Sequence, residues 1–194
     1  MTRIKICGLT RKEDVLLCND LEIDAIGFIF VPGTPRCIST KDAKALAALT
    51  NKETVGIFSE EQEDILDIAK EVGLDAIQVY GETPQAAKFS SIRAFREVPD
   101  AALIESLILD ETMVLLDGPK NGKEADLDAI EALPEGIRRS VWLAGGLTPK
   151  NVAAIVKRIR PLGVDVSSGV ESKPGIKDAK LLKAFVDAVV SASS

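Results

Sequence analysis

The sequence contains no histidine, and this absence narrows the chemistry open to the protein. It excludes every mechanism that depends on a histidine base and the usual zinc sites that use histidine ligands. The three cysteines form an odd number without a C-x-x-C spacing, so they predict neither a zinc site nor a disulfide framework, and they fit a reducing compartment. Acid and base work must therefore fall to carboxylates, cysteine, lysine or tyrosine.

Long apolar runs and basic clusters are also missing. No run approaches the ~18 apolar residues that a membrane span requires, and Met1–Lys5 leads into a strand with no charged-then-apolar targeting segment. Lysine and arginine total 24 against 30 aspartate and glutamate residues, which gives a net charge of −6. We therefore expect a cytoplasmic protein that binds neither membrane nor nucleic acid, and that holds any anionic substrate in a local site.

Short apolar runs alternate with amphipathic helical stretches along the chain. Eight strand-like runs start near Ile4, Ala25, Thr54, Asp75, Ile92, Met113, Val141 and Gly163. Eight units of this size predict a βα repeat, and strands without clean alternation are typical of parallel strands covered on both faces. Because no linker or low-complexity segment divides the chain, we predict an α/β fold, a single (β/α)8 TIM barrel over residues 1–194, with a doubly wound open sheet as the alternative.

Several residues predict where the helices between these strands begin. Capping-box patterns start at Thr10, Ser39 and Ser59, where an acidic or amide side chain follows three residues later. A threonine followed by proline predicts a helix start at Thr83 and another at Thr148.

Two loops late in the chain predict a phosphate site. One follows the apolar run 141–144 and consists of Gly145 and Gly146 before a helix start, and the other follows the run 164–166 and contains Ser167–Gly169. Backbone N–H groups at a helix N-terminus favour anions, and the phosphate site of a (β/α)8 barrel lies after strands 7 and 8. Either loop alone is also compatible with an ordinary strand-to-helix turn, but the pair favours phosphate.

Three side chains at predicted strand ends are candidates for the reacting site. Cys7 ends the first strand and is either a base, where its neighbours favour thiolate, or a small buried hydrophobe. Asp117 ends the sixth strand and is either a proton donor or a helix N-cap, and the following Gly118-Pro119 favours the donor. Arg36 is a carboxylate clamp if its loop folds inward and a solvated charge if it does not. The long loops 31–37 and 118–124 are predicted to be lids.

Seven motifs carry a resemblance that runs from Lys5 to the last helix. They are Lys5-Ile6-Cys7-Gly8-Leu9-Thr10, Gly27-Phe28-Ile29-Phe30 with Thr34-Pro35-Arg36, Val55-Gly56-Ile57-Phe58, Asp75-Ala76-Ile77-Gln78-Val79-Tyr80-Gly81, Leu115-Leu116-Asp117, Leu143-Ala144-Gly145-Gly146-Leu147, and Asp165-Val166-Ser167-Ser168-Gly169-Val170-Glu171. Together they resemble the phosphoribosylanthranilate isomerase family of tryptophan biosynthesis. The first motif and the last two are highly specific in combination.

The resemblance implies an enzyme, an isomerase that acts on N-(5-phospho-β-D-ribosyl)anthranilate by an Amadori rearrangement, without cofactor or metal. It implies that Asp117 is the general acid, Cys7 the general base, and Arg36 the holder of the anthranilate carboxylate. It also implies further substrate contacts from Gln78, Gly145, Gly146, Ser167, Ser168 and Gly169. The sequence is compatible with a monomer or a homodimer.

The chain departs from the family pattern at two places. Tyr80 stands where the family usually has histidine, and residues 118–123 replace a longer loop after Asp117. The changed loop leaves open a non-catalytic barrel that binds a phosphosugar. Two related enzymes are further alternatives. One is a phosphosugar isomerase of histidine biosynthesis, which uses two aspartates, whereas strand 1 here ends in Cys7. The other is indole-glycerol-phosphate synthase, which needs a catalytic lysine on a barrel strand, and Lys5 is the only strand lysine.

Overall fold

Eight parallel strands close into a barrel in the computed structural model, which describes residues 1–82, 84, 88–119 and 125–193. The strands are β1 (Arg3–Cys7), β2 (Ala25–Ile29), β3 (Glu53–Phe58), β4 (Ala76–Val79), β5 (Ser90–Phe95), β6 (Met113–Leu116), β7 (Val141–Leu143) and β8 (Gly163–Val166). Each begins within two residues of its predicted start. Because β1 pairs with β8 as well as with β2, the sheet has no open edge, and the TIM barrel rather than the doubly wound sheet is confirmed.

Helices cover the outside of the barrel. They are α1 (Lys12–Asn19), α2 (Thr40–Ala47), α3 (Ile65–Val72), α4 (Ala101–Leu109), α5 (Leu127–Glu131), α6 (Glu135–Arg138), α7 (Val152–Ile159) and α8 (Ala179–Ser193). A 3-10 turn (Ser168–Val170) and a hairpin of β9 (Glu171–Lys173) and β10 (Ile176–Lys177) follow β8. In the part of the chain that the structure describes, no helix is long and apolar enough to cross a membrane.

The predicted helix starts divide into one confirmed and three wrong. Ser39 caps α2, where its hydroxyl accepts a hydrogen bond from the Asp42 N–H at 3.1 Å. Thr10 does not cap α1, because its hydroxyl instead donates to the carbonyl of Gly175 at 2.7 Å. The predicted start at Thr83 lies outside the described residues.

Two of the predicted starts open turns rather than helices. Ser59 and Gln62 form a local turn, in which the Ser59 N–H donates to Gln62 Oε1 at 2.9 Å, and α3 begins only after Asp64. Thr148 likewise precedes α7 by a full turn. Its N–H donates to Asn151 Oδ1 at 2.8 Å, and Asn151 is the residue that precedes the helix.

Two apolar layers hold the barrel together. The larger lies between strands and helices, and the smaller fills the barrel interior with residues such as Val55, Ile57 and Trp142. A Cβ at Gly163 would lie 2.4 Å from the Trp142 ring, so this glycine makes room for the indole. The inner layer packs below the mouth of the barrel and thereby leaves the carboxyl ends of the strands for polar residues.

Candidate active site

A cavity of about 240 Å³ opens at the carboxyl ends of the strands. It is lined by eighteen residues, and these include all nine that the sequence predicts for the site: Cys7, Arg36, Gln78, Asp117, Gly145, Gly146, Ser167, Ser168 and Gly169. The barrel therefore brings together side chains and loops that lie up to 162 residues apart in the sequence. Their chemical roles depend on the local geometry of each.

Cys7 is the last residue of β1, and its side chain is only 6% exposed. The thiol faces β2, where a Cβ at Gly27 would lie 3.0 Å from the Cys7 sulfur. Burial raises the pKa of Cys7 to about 11, although the charges of Lys5 and Lys177 act in the opposite direction. The positive surroundings expected for a thiolate are therefore present, but they do not outweigh the desolvation of the thiol.

A buried ion pair crosses the barrel beneath the thiol. The Nζ of Lys5 donates to Asp165 Oδ2 at 2.6 Å and to Gln78 Oε1 at 2.9 Å. Asp165 Oδ1 is buried and has no hydrogen-bond partner among the described residues, and Asp165 lines the cavity. The sequence reasoning did not include Asp165 in the site. A lone carboxylate inside the apolar run of β8 was the available signal, because a buried charge requires a partner.

Asp117 follows β6 and faces the cavity from the opposite side of the mouth. The hydroxyl of Tyr80 donates to Asp117 Oδ2 at 2.6 Å, and Arg96 Nη1 lies 3.8 Å from the same oxygen. Burial raises the pKa of Asp117 above its usual range, although the bond from Tyr80 lowers it. A raised pKa suits a carboxyl that donates a proton. Among the described helices none is capped by Asp117, and Asp126 caps α5, the next one along the chain.

Arg36 folds inward, as a substrate clamp requires, but Glu171 already binds its guanidinium. The Nε and Nη2 atoms donate to the two Glu171 oxygens at 2.9 and 2.7 Å, and Lys177 donates to Oε1 of the same carboxylate at 2.8 Å. Burial alone would raise the pKa of Glu171. The hydrogen bonds and charges of Arg36 and Lys177 outweigh burial, so the pKa of Glu171 lies below its usual value. Of the three guanidinium nitrogens of Arg36, only Nη1 does not bind Glu171. A substrate carboxylate would therefore bind a guanidinium that is already paired through its other two nitrogens. The sequence reasoning missed this pair.

The two predicted phosphate loops touch each other. A Cβ at Gly169 would lie 1.8 Å from the carbonyl oxygen of Leu147, so only glycine permits this approach. Gly145 adopts a φ of +86°, in the left-handed region. Ser167 Oγ is buried and has no partner within the described part of the chain, and the first N–H groups of the following 3-10 turn lack an intrahelical acceptor. These unpaired donors line the cavity.

The predicted lids frame the same opening. Residues of the loop 31–37 line a second cavity that adjoins the first and shares Arg36, Tyr80 and Arg96 with it. In the loop 118–124, Pro119 lines the first cavity, and residues 120–124 lie outside those that the structure describes.

The fold and the cavity define a class of protein, a (β/α)8 barrel whose candidate site lies at the carboxyl ends of its strands and contains a thiol, a carboxyl and an arginine. Comparison with known proteins identifies the family. Residues 4–188 match the family model described as N-(5′-phosphoribosyl)anthranilate isomerase. The isomerase of that name from Halorhodospira halophila is 36% identical over 198 residues, which cover 95% of each chain. The chain belongs to the N-(5′-phosphoribosyl)anthranilate isomerase family.

Solved structures agree with this membership. A structure of monomers of the dimeric isomerase from Thermotoga maritima has a TM-score of 0.82 and 35% identity, and the match covers 98% of this chain and 100% of that one. A phosphoribosylanthranilate isomerase in complex with reduced 1-(o-carboxyphenylamino)-1-deoxyribulose 5-phosphate has the same TM-score, identity and coverage.

Proposed function

We propose that this isomerase of tryptophan biosynthesis rearranges N-(5′-phosphoribosyl)anthranilate to 1-(2-carboxyphenylamino)-1-deoxyribulose 5-phosphate with Asp117 as general acid and Cys7 as general base. The observation that carries these roles is that the two groups line one cavity from opposite sides, at the ends of β6 and β1. A sugar ring between them meets a proton donor on one side and a proton acceptor on the other.

The reaction moves a proton to the ring oxygen and another from C2′, then one to C1′ and one from the C2′ hydroxyl, and it involves no net oxidation. Asp117 gives its proton to the ribose ring oxygen as the C1′–O bond breaks, and the anthranilate nitrogen forms a Schiff base with C1′. The Cys7 thiolate then removes the C2′ proton. The electrons of that C–H bond form the C1′–C2′ double bond of an enolamine, and the π electrons of the Schiff base return to the anthranilate nitrogen. C1′ of the enolamine then gains the proton that Cys7 took, and the C2′ hydroxyl gives its proton to Asp117 as the C2′=O bond of the ketone product forms. Asp117 and Cys7 each finish the cycle by regaining their starting proton state.

The resting protonation states add one condition to this mechanism. With its pKa near 11, Cys7 is a thiol at neutral pH in the free protein. The reactive form, with thiolate at Cys7 and a proton on Asp117, is therefore a minor form of the enzyme. Its share stays constant at every pH between the two pKa values, because a proton moves from one group to the other without net gain or loss.

The substrate phosphate supplies binding energy away from the reacting atoms. Gly145, Gly146 and the turn 167–169 would bind it through backbone N–H groups, supported by the unpaired donors and the close contact of the two loops. The anthranilate carboxylate would bind Arg36 through Nη1. Gln78 would act indirectly, because its side-chain oxygen holds Lys5 below the cavity. Binding at the phosphate positions the ribose for the proton transfers.

The proposal is tested by following the fluorescence of freshly made phosphoribosylanthranilate with the wild type, Asp117→Asn and Cys7→Ala. We expect turnover by the wild type and a loss of about 10²–10⁴-fold in kcat for each variant, because each removes one proton-transfer group. Circular dichroism must show that both variants are folded. Wild-type turnover by either variant contradicts its role, and saturable binding without turnover by the wild type favours the non-catalytic phosphosugar-binding barrel.

Assembly and location extend the proposal. All nine predicted site residues come from one chain, so a monomer and a homodimer both remain proposals that light scattering distinguishes. The three cysteines are free thiols, which supports the proposed cytoplasmic location because such compartments keep thiols reduced.

A further inference from the structure

Three polar side chains follow three neighbouring strands at the mouth of the barrel. Tyr80 comes directly after β4, Arg96 after β5 and Asp117 after β6. The backbone N–H of Asp117 donates to the carbonyl of Phe95 at 2.8 Å, which fixes the start of the loop beside Arg96. Because adjacent parallel strands end at the same edge, the three side chains meet there.

We propose that Tyr80 is a positioning residue that holds Oδ2 of Asp117, so that the proton transferred to substrate resides on Oδ1. This inference rests on the proposed role of Asp117 as the acid. It gives a function to the residue at which the chain departs from the usual family pattern.

The contacts on Oδ2 disfavour a proton at that atom. The Tyr80 hydroxyl donates to Oδ2 at 2.6 Å, which is a short, charge-assisted hydrogen bond. Arg96 Nη1 lies 3.8 Å from the same oxygen. A donor and a positive charge at one oxygen of a carboxyl both lower the proton affinity of that oxygen. A backbone hydrogen bond from Gly118 also acts on Asp117, but its effect is smaller than those of Tyr80 and Arg96, so we place the proton on Oδ1.

The second oxygen points toward the substrate cavity. A Cβ at Gly145 would lie 3.0 Å from Asp117 Oδ1, so this oxygen faces the loop that follows β7. Both Asp117 and Gly145 line the cavity. Tyr80 therefore selects the oxygen that can reach a sugar held against the β7 loop.

Arg96 also holds the tyrosine ring. Its guanidinium carbon lies 4.1 Å from the centre of the Tyr80 ring, within the range of a cation–π contact. The other charged or titratable groups that act on Asp117 come from the facing strands, Lys5 and Cys7 on β1 and Asp165 on β8. Within the described residues, Tyr80 is the side chain that donates a hydrogen bond to Asp117.

The contact can be measured without any turnover, because Tyr80 is the single tyrosine of the chain. Tyrosinate absorbance in the ultraviolet therefore reports Tyr80 alone. Burial and the negative charge of Asp117 raise the pKa of Tyr80 above its usual range, so we expect almost no tyrosinate in the folded wild type at about pH 10, where a free tyrosine is half ionised.

Asp117→Asn removes the charge, so its tyrosinate signal is expected at a lower pH than in the wild type. The matched control is Asp67→Asn, which changes an exposed carboxylate on α3 and should leave the titration unchanged. Circular dichroism across the titration separates ionisation from unfolding. An identical titration of Tyr80 in the wild type and Asp117→Asn overturns the inference.

Tyr80→Phe tests the positioning role in catalysis. We expect a net fall of roughly tenfold in kcat with KM within about twofold of the wild type, because the loss of the fixed carboxyl orientation outweighs the larger reactive share that a raised pKa of Asp117 gives. The pKa of Asp117, measured by carbon-13 NMR and assigned with Asp117→Asn, should rise by about one unit, because the hydroxyl stabilises the carboxylate. A purely structural role for Tyr80 would not move this pKa.

The outcomes separate this inference from the proposed function. If Asp117→Asn turns over like the wild type, the role of Asp117 is wrong and the inference falls with it. If Asp117→Asn is inactive while Tyr80→Phe keeps both the wild-type kcat and the wild-type pKa of Asp117, only the inference about Tyr80 is wrong.

Discussion

On the β1–β8 side of the barrel mouth, the charged groups are buried in short ion pairs, whereas on the β4–β6 side they are half-exposed and loosely paired. Lys5 and Asp165 lie 2.6 Å apart, and the Lys177 side chain is fully buried against Glu171 at 2.8 Å. Arg96 and Asp117 are 3.8 Å apart, and their side chains are 37% and 18% exposed. Cys7 lies on the β1–β8 side, which we call the fixed side. Asp117 lies on the β4–β6 side, which we call the open side.

The difference shows how one barrel can keep its two reacting groups in opposite proton states. Burial on the fixed side keeps Cys7 protonated at neutral pH, despite two nearby lysines. On the open side, burial raises the pKa of Asp117, while the hydrogen bond from Tyr80, the charge of Arg96 and a backbone hydrogen bond from Gly118 lower it. Removing a charge from the fixed side should therefore cost stability, while changing the open side should alter catalysis.

Lys177→Met breaks the fixed side and has the largest expected effect. The Lys177 ammonium donates to the carbonyls of Cys7 and Ser167 and to Glu171, and without it these buried oxygens lose their donor. We expect a loss of about 3–5 kcal/mol in the free energy of unfolding, measured by urea denaturation. The control Lys183→Met breaks an exposed pair with Asp187 and should cost less than about 0.5 kcal/mol. Equal urea midpoints for the two variants would contradict the comparison.

Substitution of the two arginines tests which side holds the anthranilate carboxylate. Arg36→Lys cannot form the two-point contact with Glu171 and leaves one ammonium for the substrate, so we expect KM to rise about tenfold. Arg96→Lys should change KM by less than about threefold, since its assigned partners are Tyr80 and Asp117. Steady-state kinetics on both variants gives the answer. A larger KM effect at Arg96 would move the carboxylate to the open side.

The pH dependence of catalysis should show the smallest change. In the proposed mechanism catalysis needs thiolate at Cys7 and a proton on Asp117, so we expect kcat/KM to fall below the pKa of Asp117 and above the pKa of Cys7, near 11. Between about pH 8 and 10 we expect less than a twofold change, because the reactive share is constant there. A tenfold fall per unit above about pH 8.5 would instead indicate an ordinary thiol pKa at Cys7.

The sequence predicts the barrel well because its strands are local, short apolar runs whose positions can be read directly. Strand ends and motifs also predict nine of the eighteen residues that line the cavity. The pairing of Lys5 with Asp165 was missed because it depends on closure of β8 against β1, a register that no local pattern specifies. The ion pair between Arg36 and Glu171 joins residues 135 positions apart, and no local pattern predicts it for the same reason.

Three of the predicted helix starts were wrong for a related physical reason. Thr10 has the sequence of an N-cap, but its hydroxyl bonds to Gly175, far along the chain. Thr148 and Asn151 both carry capping side chains, and the amide of Asn151 reaches back to the carbonyl of Gly146 at 3.0 Å. Where tertiary contacts compete for a capping group, the local pattern alone does not fix the first residue of the helix.

The hydrogen bond from Lys177 to the Cys7 carbonyl can form only late in synthesis, because the two residues are 170 positions apart. Lys177 leaves the ribosome 170 residues after Cys7, and β8 is made only shortly before it. Until β8 is made, β1 lacks one of its two neighbours, so we expect the Cys7 thiol to be accessible to solvent. The alkylation rate of Cys7 on a nascent chain should therefore fall once β8 and the hairpin have closed the barrel. This rate would report at which chain length the barrel is complete.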